Sequence, residues 1–482
     1  MILFPIGFAL LMGAILAWSF FDRRDREILL DPPEKMQNTS IIDPMLLPYC
    51  LFVFVPLILF VPLFRRAGLI FGGMLVVVII CISVYYTLLL CILPFLQRTF
   101  SPRACAAFWI MPNYLYLLAN IRNVFDAAPL VVVPLPVRWL RVAGIVWCVG
   151  FAGLLLFQII SHLVYRRRLL HAAAVVSDGE AARLWQHEQK RFGVKRMIPM
   201  VVSGETSTPL TIGCYKRTFR LVMPHLNYTE DELRLIFRHE LRHIQNMDSR
   251  TKFFLGFCTA MCWFNPLVWI ARRKVSDDLE LSCDELVLKG EDEQIRGEYA
   301  RLLLKDGDSD RGYTTCLSSA ASTMRYRLKN VLHPRKKRSG TLVIGAILAL
   351  LLFFSGSIAL ADTSVSADTL VQNSKGEVMT LKNVYGKTDP VGKAYIPLLE
   401  EPLKEYLSSL AVRRLYTQTK YGAFEQGVTL SYTSEDGWAQ ITLYDKVIAV
   451  NSSPDERGWT RAFYALEEET DWEYLQSLIE FQ

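Results

Sequence analysis

Long apolar runs edged by arginines and lysines constrain this chain more than any other feature. Residues 2–21, 46–64, 68–96, 142–165 and 341–361 are each long enough for a membrane helix, which needs about 20 apolar residues. Arg65-Arg66, Arg166-Arg167-Arg168 and His333-Pro334-Arg335-Lys336-Lys337-Arg338 stand beside such runs. Hydrophobic residues make up 52% of the 482 positions, and mean hydropathy is +0.24, too apolar for an ordinary soluble protein. Net charge is +6, but the basic residues cluster beside apolar runs, which favours topology signals over a nucleic-acid surface. No direct nucleic-acid contact is expected. The lipid bilayer is the first implied partner.

The charge clusters also order the chain. Positive residues favour the cytoplasmic side, and two clusters bound residues 166–340, so this segment is expected inside and residues 362–482 outside. No basic region precedes the run 2–21, so it reads as a retained span. Residues 22–45 form a polar loop with Asp31-Pro32-Pro33. Residues 105–120 contain Pro112 and Asn113 and fit either a short span or an interfacial segment, giving four or five spans in 1–165. Residues 128–137 are Pro-rich and break what precedes. The run 341–361 ends in Ala359-Leu360-Ala361, which also resembles a signal peptidase site; retention as a span is the preferred reading.

Inside the central segment, His239-Glu240-Leu241-Arg242-His243 reads H-E-x-x-H. On a helix the two histidines lie one turn apart on one face and can converge on one zinc ion at about 2.0–2.1 Å each. Glu240 then stands beside the metal, placed to take a proton from water. Thr229 with Glu232 predicts a capping box, Glu230, Asp231 and Glu232 suit the helix dipole, and Leu233, Ile236, Phe237, Leu241 and Ile244 recur at helical spacing. A third ligand is needed, and residues 276–288 supply acidic candidates on another predicted helix. Glu280 is the best of them, with Asp284 one turn on as its hydrogen-bonding support. Asp277, Asp278 and Glu285 are near enough that spacing alone does not choose. An ordinary acidic surface helix has the same look.

These pieces together resemble the membrane-bound antirepressor metallopeptidases typified by the Bla/Mec-type β-lactam sensor-transducers. Ser207-Thr208-Pro209-Leu210-Thr211-Ile212-Gly213 and Leu221-Val222-Met223-Pro224 look like the paired strands before the active-site helix. His239 to His243, Asp248, Phe264-Asn265-Pro266-Leu267-Val268-Trp269 and Glu280-Leu281-Ser282-Cys283-Asp284 follow in family order. The resemblance covers roughly residues 140–340. It implies a multi-pass α-helical membrane protein with a gluzincin-like α+β zinc metallopeptidase domain. It also implies His239, His243 and Glu280 as zinc ligands, Glu240 as catalytic base, and Asp284 and Asp248 as support. Thr208, Leu210 and Ile212 become an edge strand for extended substrate. The implied substrate is a cytoplasmic transcriptional repressor of winged-helix type.

The expected domains are therefore 1–165, membrane region; 166–340, cytoplasmic peptidase; 341–361, transmembrane helix; and 362–482, a small extracytoplasmic α+β domain with an unknown ligand. Residues 177–193 read as an amphipathic helix, and Val201-Val202 as a strand. Residues 253–272 read as a buried helix near the membrane, broken at Asn265-Pro266. Residues 306–324 read as an exposed loop; in the resembling family this region can be self-cleaved, but no residue pair marks a bond. Cys258 and Cys262 read as packing residues. In the outer domain Val428–Tyr432, Ala439–Tyr444 and Val447–Val450 read as strands, and 396–411 and 460–481 as helices. It has no Ser-x-x-Lys and no Lys-Thr-Gly (Lys387-Thr388-Asp389 does not match), so a covalent β-lactam sensor is not expected. A housekeeping membrane protease and a receptor that sequesters a regulator without cutting it are the competing functions.

Overall fold

Two of the apolar runs become single long helices in the computed structural model: α1 (Arg65–Thr99) and α3 (Val137–His171). The segments Phe71–Thr99 and Val137–His171 have the length and composition to cross a membrane. The structure describes residues 45–52, 65–118, 129–171, 173–214, 217–225, 228–306, 321–334, 337–355, 358–373, 375–386, 396–416, 427–435, 437–453 and 460–478. The span expected at 2–21, most of that at 46–64, and most of the loops expected at 22–45 and 306–324 lie outside them, as do Lys387-Thr388-Asp389.

Residues 105–120 are not one span. They hold the end of α2 (Pro102–Ile110), a 3-10 turn Met111–Tyr114 and a helical turn Leu115–Leu118. Pro112 and Asn113 break the run. Asn113 donates its amide to the Tyr86 hydroxyl at 2.9 Å, and Phe108, Trp109 and Ile110 are fully buried.

The chain divides into two compact units. One contains, among the described residues, 45–52, Ile82–Tyr114 and Cys148–Leu348. Its four-stranded sheet has the order β2-β3-β5-β4, from β2 (Ala174–Val176), β3 (Met200–Val202), β4 (Leu210–Ile212) and β5 (Arg220–Met223). β4 is the terminal strand, antiparallel to β5 from Leu210↔Val222 to Ile212↔Arg220. Gly213 turns the chain out of β4 at φ 119°, where an added Cβ would meet the Thr218 backbone at 2.6 Å. The expected amphipathic helix is α4 (Glu180–Arg191). Its Trp185 packs with Phe237 in an apolar core that also contains Leu241 and Ile244.

Five further helices belong to this unit: α5 (Glu230–Asn246), α6 (Asp248–Met261), α7 (Pro266–Val287), α8 (Glu293–Asp306) and α9 (Ala321–Leu332). The break expected at Asn265-Pro266 is a helix start: the Asn265 side chain accepts from the Leu267 N–H, and Pro266 takes the first turn, where no donor is needed. Cys258 and Cys262 are buried and form no disulfide.

The other unit holds the second sheet, order β1-β6-β8-β12-β11-β10-β9-β7. Its strands are β1 (Val131–Pro134), β6 (Ile358–Ser366), β7 (Thr380–Gly386), β8 (Ala411–Leu415), β9 (Val428–Ser434), β10 (Gly437–Leu443), β11 (Val447–Ser453) and β12 (Thr460–Leu466). Two expectations are corrected here. The run 341–361 is not one helix: α10 ends at Ser355 (Thr341–Ser355), and Ile358–Ala361 pairs in parallel with Val131–Pro134. Ala359, Leu360 and Ala361 bury their apolar surface in this sheet instead of extending the helix. Residues 460–481 are not one helix either. Thr460 to Leu466 pairs with β11 and β8, and only α12 (Trp472–Leu478) is helical. Helix α11 (Ile396–Ser409) agrees with its expected position.

Candidate metal centre

Local sequence builds α5. The Thr229 hydroxyl accepts from the Glu232 N–H at 3.3 Å, and the Thr229 N–H donates to the Glu232 carboxylate at 2.9 Å, the expected capping box. From this fixed start, helical spacing puts His239 and His243 on one buried face with their Nε2 atoms 3.0 Å apart. Helix α7 brings Glu280 to the same point. Its Oε2 lies 3.5 Å from His239 Nε2 and 3.4 Å from His243 Nε2. Donors bound tetrahedrally at about 2.0–2.1 Å stand about 3.3–3.4 Å from one another, so this triangle fits a zinc ion. Glu240 follows His239 and is fully buried.

Hydrogen bonds direct the donor atoms. The Tyr299 hydroxyl donates to Asp284 Oδ1 at 2.6 Å. Having used its proton, it accepts from His239 Nδ1 at 2.9 Å, which leaves the Nε2 lone pair facing the triangle. Asp248 Oδ2 lies 2.6 Å from His243 Nδ1 and fixes the second ring the same way. Lys252 donates to Glu280 Oε1 at 3.0 Å, leaving Oε2 toward the imidazoles. Arg327, fully buried on α9, forks onto Asp284 with two bonds of 2.7 Å.

The field at this point favours a cation. Burial opposes charge on His243, but Cys283, Glu280 and the hydrogen bond it donates to Asp248 outweigh it and raise its pKa well above the ordinary histidine value. Burial likewise opposes the Glu280 carboxylate, and Lys252 and the two histidines hold it well below the ordinary range.

The structure chooses among the acids of 276–288. Glu280 faces both imidazoles, whereas Asp278 is buried elsewhere with its pKa raised by burial and by Asp277, and Glu285 lies 3.7 Å from Lys337. Asp284 and Asp248 stand behind the histidines. A second cluster, His243, Asp248 and Cys283, shares the region. Its 2.6 Å His243–Asp248 separation is a hydrogen bond, too short for two ligands of one zinc, and burial pushes the Cys283 thiol up to about 12. Tyr299, Lys252 and Arg327 were not singled out from sequence. Arg327 reads there as part of a basic approach to the run 341–361, and nothing in the sequence around Tyr299 marks it.

Of the expected substrate strand, Leu210 and Ile212 lie in β4, and Thr208 precedes it, its carbonyl accepting from the Thr206 hydroxyl at 2.7 Å. The other edge of β4 pairs with no strand among the described residues.

Residues 126–331 match the family model of the BlaR1 peptidase M56. This segment is an M56 peptidase domain. The M56 domain contains every residue of the triangle and its support. The regulatory protein BlaR1 of Bacillus licheniformis is 26% identical over 218 residues, 42% of this chain and 36% of that protein. The methicillin resistance mecR1 protein of Staphylococcus aureus (strain Mu50 / ATCC 700699) is 28% identical over 128 residues, 26% of this chain and 21% of that protein. The regulatory protein BlaR1 of Staphylococcus aureus is 23% identical over 169 residues, 34% and 28% of the two chains. The chain thus spans about a third or less of the length of the curated relatives it matches. M56 peptidases are metallopeptidases, in keeping with the His239, His243 and Glu280 cluster.

Proposed function

We propose that the chain is a multi-pass membrane zinc endopeptidase of gluzincin type that converts an outside signal into cleavage of a cytoplasmic protein. The observation that carries this reading is the triangle of two Nε2 atoms and one Oε2, with both Nδ1 positions already committed to Tyr299 and Asp248. His239, His243 and Glu280 would hold the zinc. When bound, zinc polarises a scissile carbonyl and lowers the pKa of water. Glu240 takes the proton of the attacking water and returns one to the leaving amine. Asp248, Tyr299 and Asp284 keep the rings oriented, and Arg327 neutralises Asp284 within the buried site. The open edge of β4 pairs with extended substrate backbone.

The peptidase domain, 166–340, is placed in the cytoplasm because basic clusters bound it, and the domain beyond 362 outside. The substrate is a transcriptional repressor, the winged-helix class being favoured; the name "regulatory protein" carried by the BlaR1 relatives supports a regulatory role only. Residues 362–482 carry no Ser-x-x-Lys and no Lys-Thr-Gly, so covalent β-lactam binding is not proposed for this domain.

The test compares protein N-termini in cells expressing the full chain or Glu240→Gln. A DNA-binding regulator cut only with the active chain supports the proposal. A signalling response that survives Glu240→Gln contradicts it and favours sequestration.

A further inference from the structure

A cavity of about 170 Å³ lies beside β4, within the unit that holds the metal centre. Its walls are Leu155 and Ile159 of α3, Ile212 of β4, and Phe253 and Phe257 of α6. This lining is mostly apolar, with Gln158, His162, Thr211, Ser249 and Lys252 as its polar side chains. Gln158, on the same face of α3 as Leu155 and Ile159, is 6% exposed, and its Nε2 donor has no partner among the described residues. A buried amide without a partner costs free energy that a bound acceptor recovers.

The cavity also touches the machinery. Lys252 lines it and holds the Glu280 carboxylate at 3.0 Å, and the same helix begins at Asp248, the partner of His243. Three features therefore meet: a strand edge unpaired among the described residues, a mostly apolar hollow beside that strand, and an unspent donor within the hollow. A volume of about 150 Å³ accommodates a benzene-sized group, so the hollow takes one leucine- or phenylalanine-sized side chain.

Resting on the peptidase reading, we infer that this cavity is a specificity pocket: it receives a large apolar side chain beside the scissile bond, while Gln158 donates to a backbone carbonyl of the same polypeptide. A lipid would fill the hollow and could offer Gln158 an ester carbonyl, but it would offer β4 no backbone groups to pair with. Part of α3 thereby selects substrate as well as forming a long apolar helix.

The test uses the zinc-loaded full chain in phosphatidylcholine vesicles and a randomised decapeptide library, with cut sites read by mass spectrometry. One position beside the cut is expected to favour Leu, Met or Phe over Ala by at least about tenfold in kcat/KM. Ile159→Phe and Ile212→Phe, each filling the hollow from a different wall, are expected to reduce that preference at least tenfold. Gln158→Leu is expected to raise KM about tenfold and leave the side-chain preference in place. A preference that both filling variants leave untouched overturns the pocket.

Peptides captured by the Glu240→Gln chain give a second readout without turnover. Captured peptides anchored by a large apolar residue, lost on filling, support the pocket even if the unmodified chain cuts nothing, in which case the peptidase reading is what fails. Captured peptides without such an anchor, or no capture at all, overturn the pocket. So does phospholipid that co-purifies with the chain and is lost on filling while peptide preference stays.

Discussion

The unit that holds the metal centre and the unit that holds the eight-stranded sheet bury different chemistry. The first buries His239, Glu240, His243, Asp248, Arg250, Glu280, Asp284 and Arg327. In the second, among the described residues, the buried polar side chains are Asn373, Ser453 and Thr470, and no charged one is buried. Burying charge is expensive unless it is paired or bound to a cation, so a domain that only had to fold would resemble the second unit. The first unit retains its charges in a mutually dependent network. Its stability should fail by pairs, whereas the sheet should fail by volume.

The largest expected effect tests whether those charges do chemistry. Glu240→Gln should lower proteolysis by about 10²–10⁴-fold, as loss of a general base does, while zinc per chain, measured by elemental analysis, stays near that of the unmodified protein. Next, Arg327→Met strips Asp284 of its fork and should cost about 3–5 kcal/mol in thermal unfolding of the peptidase unit. Replacing Asp284 as well, with leucine, should recover part of that loss, because no lone charge is left behind; a further loss of the same size would dissolve the contrast between the units. In the sheet, Ile441→Ala removes a fully buried side chain and should cost about 2–5 kcal/mol, read as faster amide exchange across β9–β11 with zinc content unchanged. The smallest change is Thr229→Ala, about 1 kcal/mol, seen as fraying of the first turn of α5.

Legibility in the sequence followed the range of the interactions. The α5 start was readable because Thr229 and Glu232 bond to each other, and the two histidines because one helical turn joins them. Glu280 was one of several acids in a short stretch, and only the packing of α7 against α5 separates it from Asp278. Tyr299 and Arg327 act at separations of 60 residues from His239 and 43 from Asp284, and no local pattern reports such contacts. The same holds for the sheet. β9 and β10 alternate locally and are visible in the sequence, whereas β1 gains its partner from residues 358–361, and Thr460–Leu466 reads locally as helix because only its pairing with β8 and β11 makes it a strand. The apolar run 341–361 was read whole because composition does not say where a helix yields to a strand.

Zinc-edge X-ray absorption on the purified full chain tests the central claim most directly. The account predicts one zinc per chain, surrounded by nitrogen and oxygen at about 2.0–2.1 Å with two imidazole signatures, and lost in His239→Ala. Protein that is folded yet binds no zinc would contradict it, as would a sulfur neighbour at about 2.3 Å, which would assign the metal to Cys283 instead.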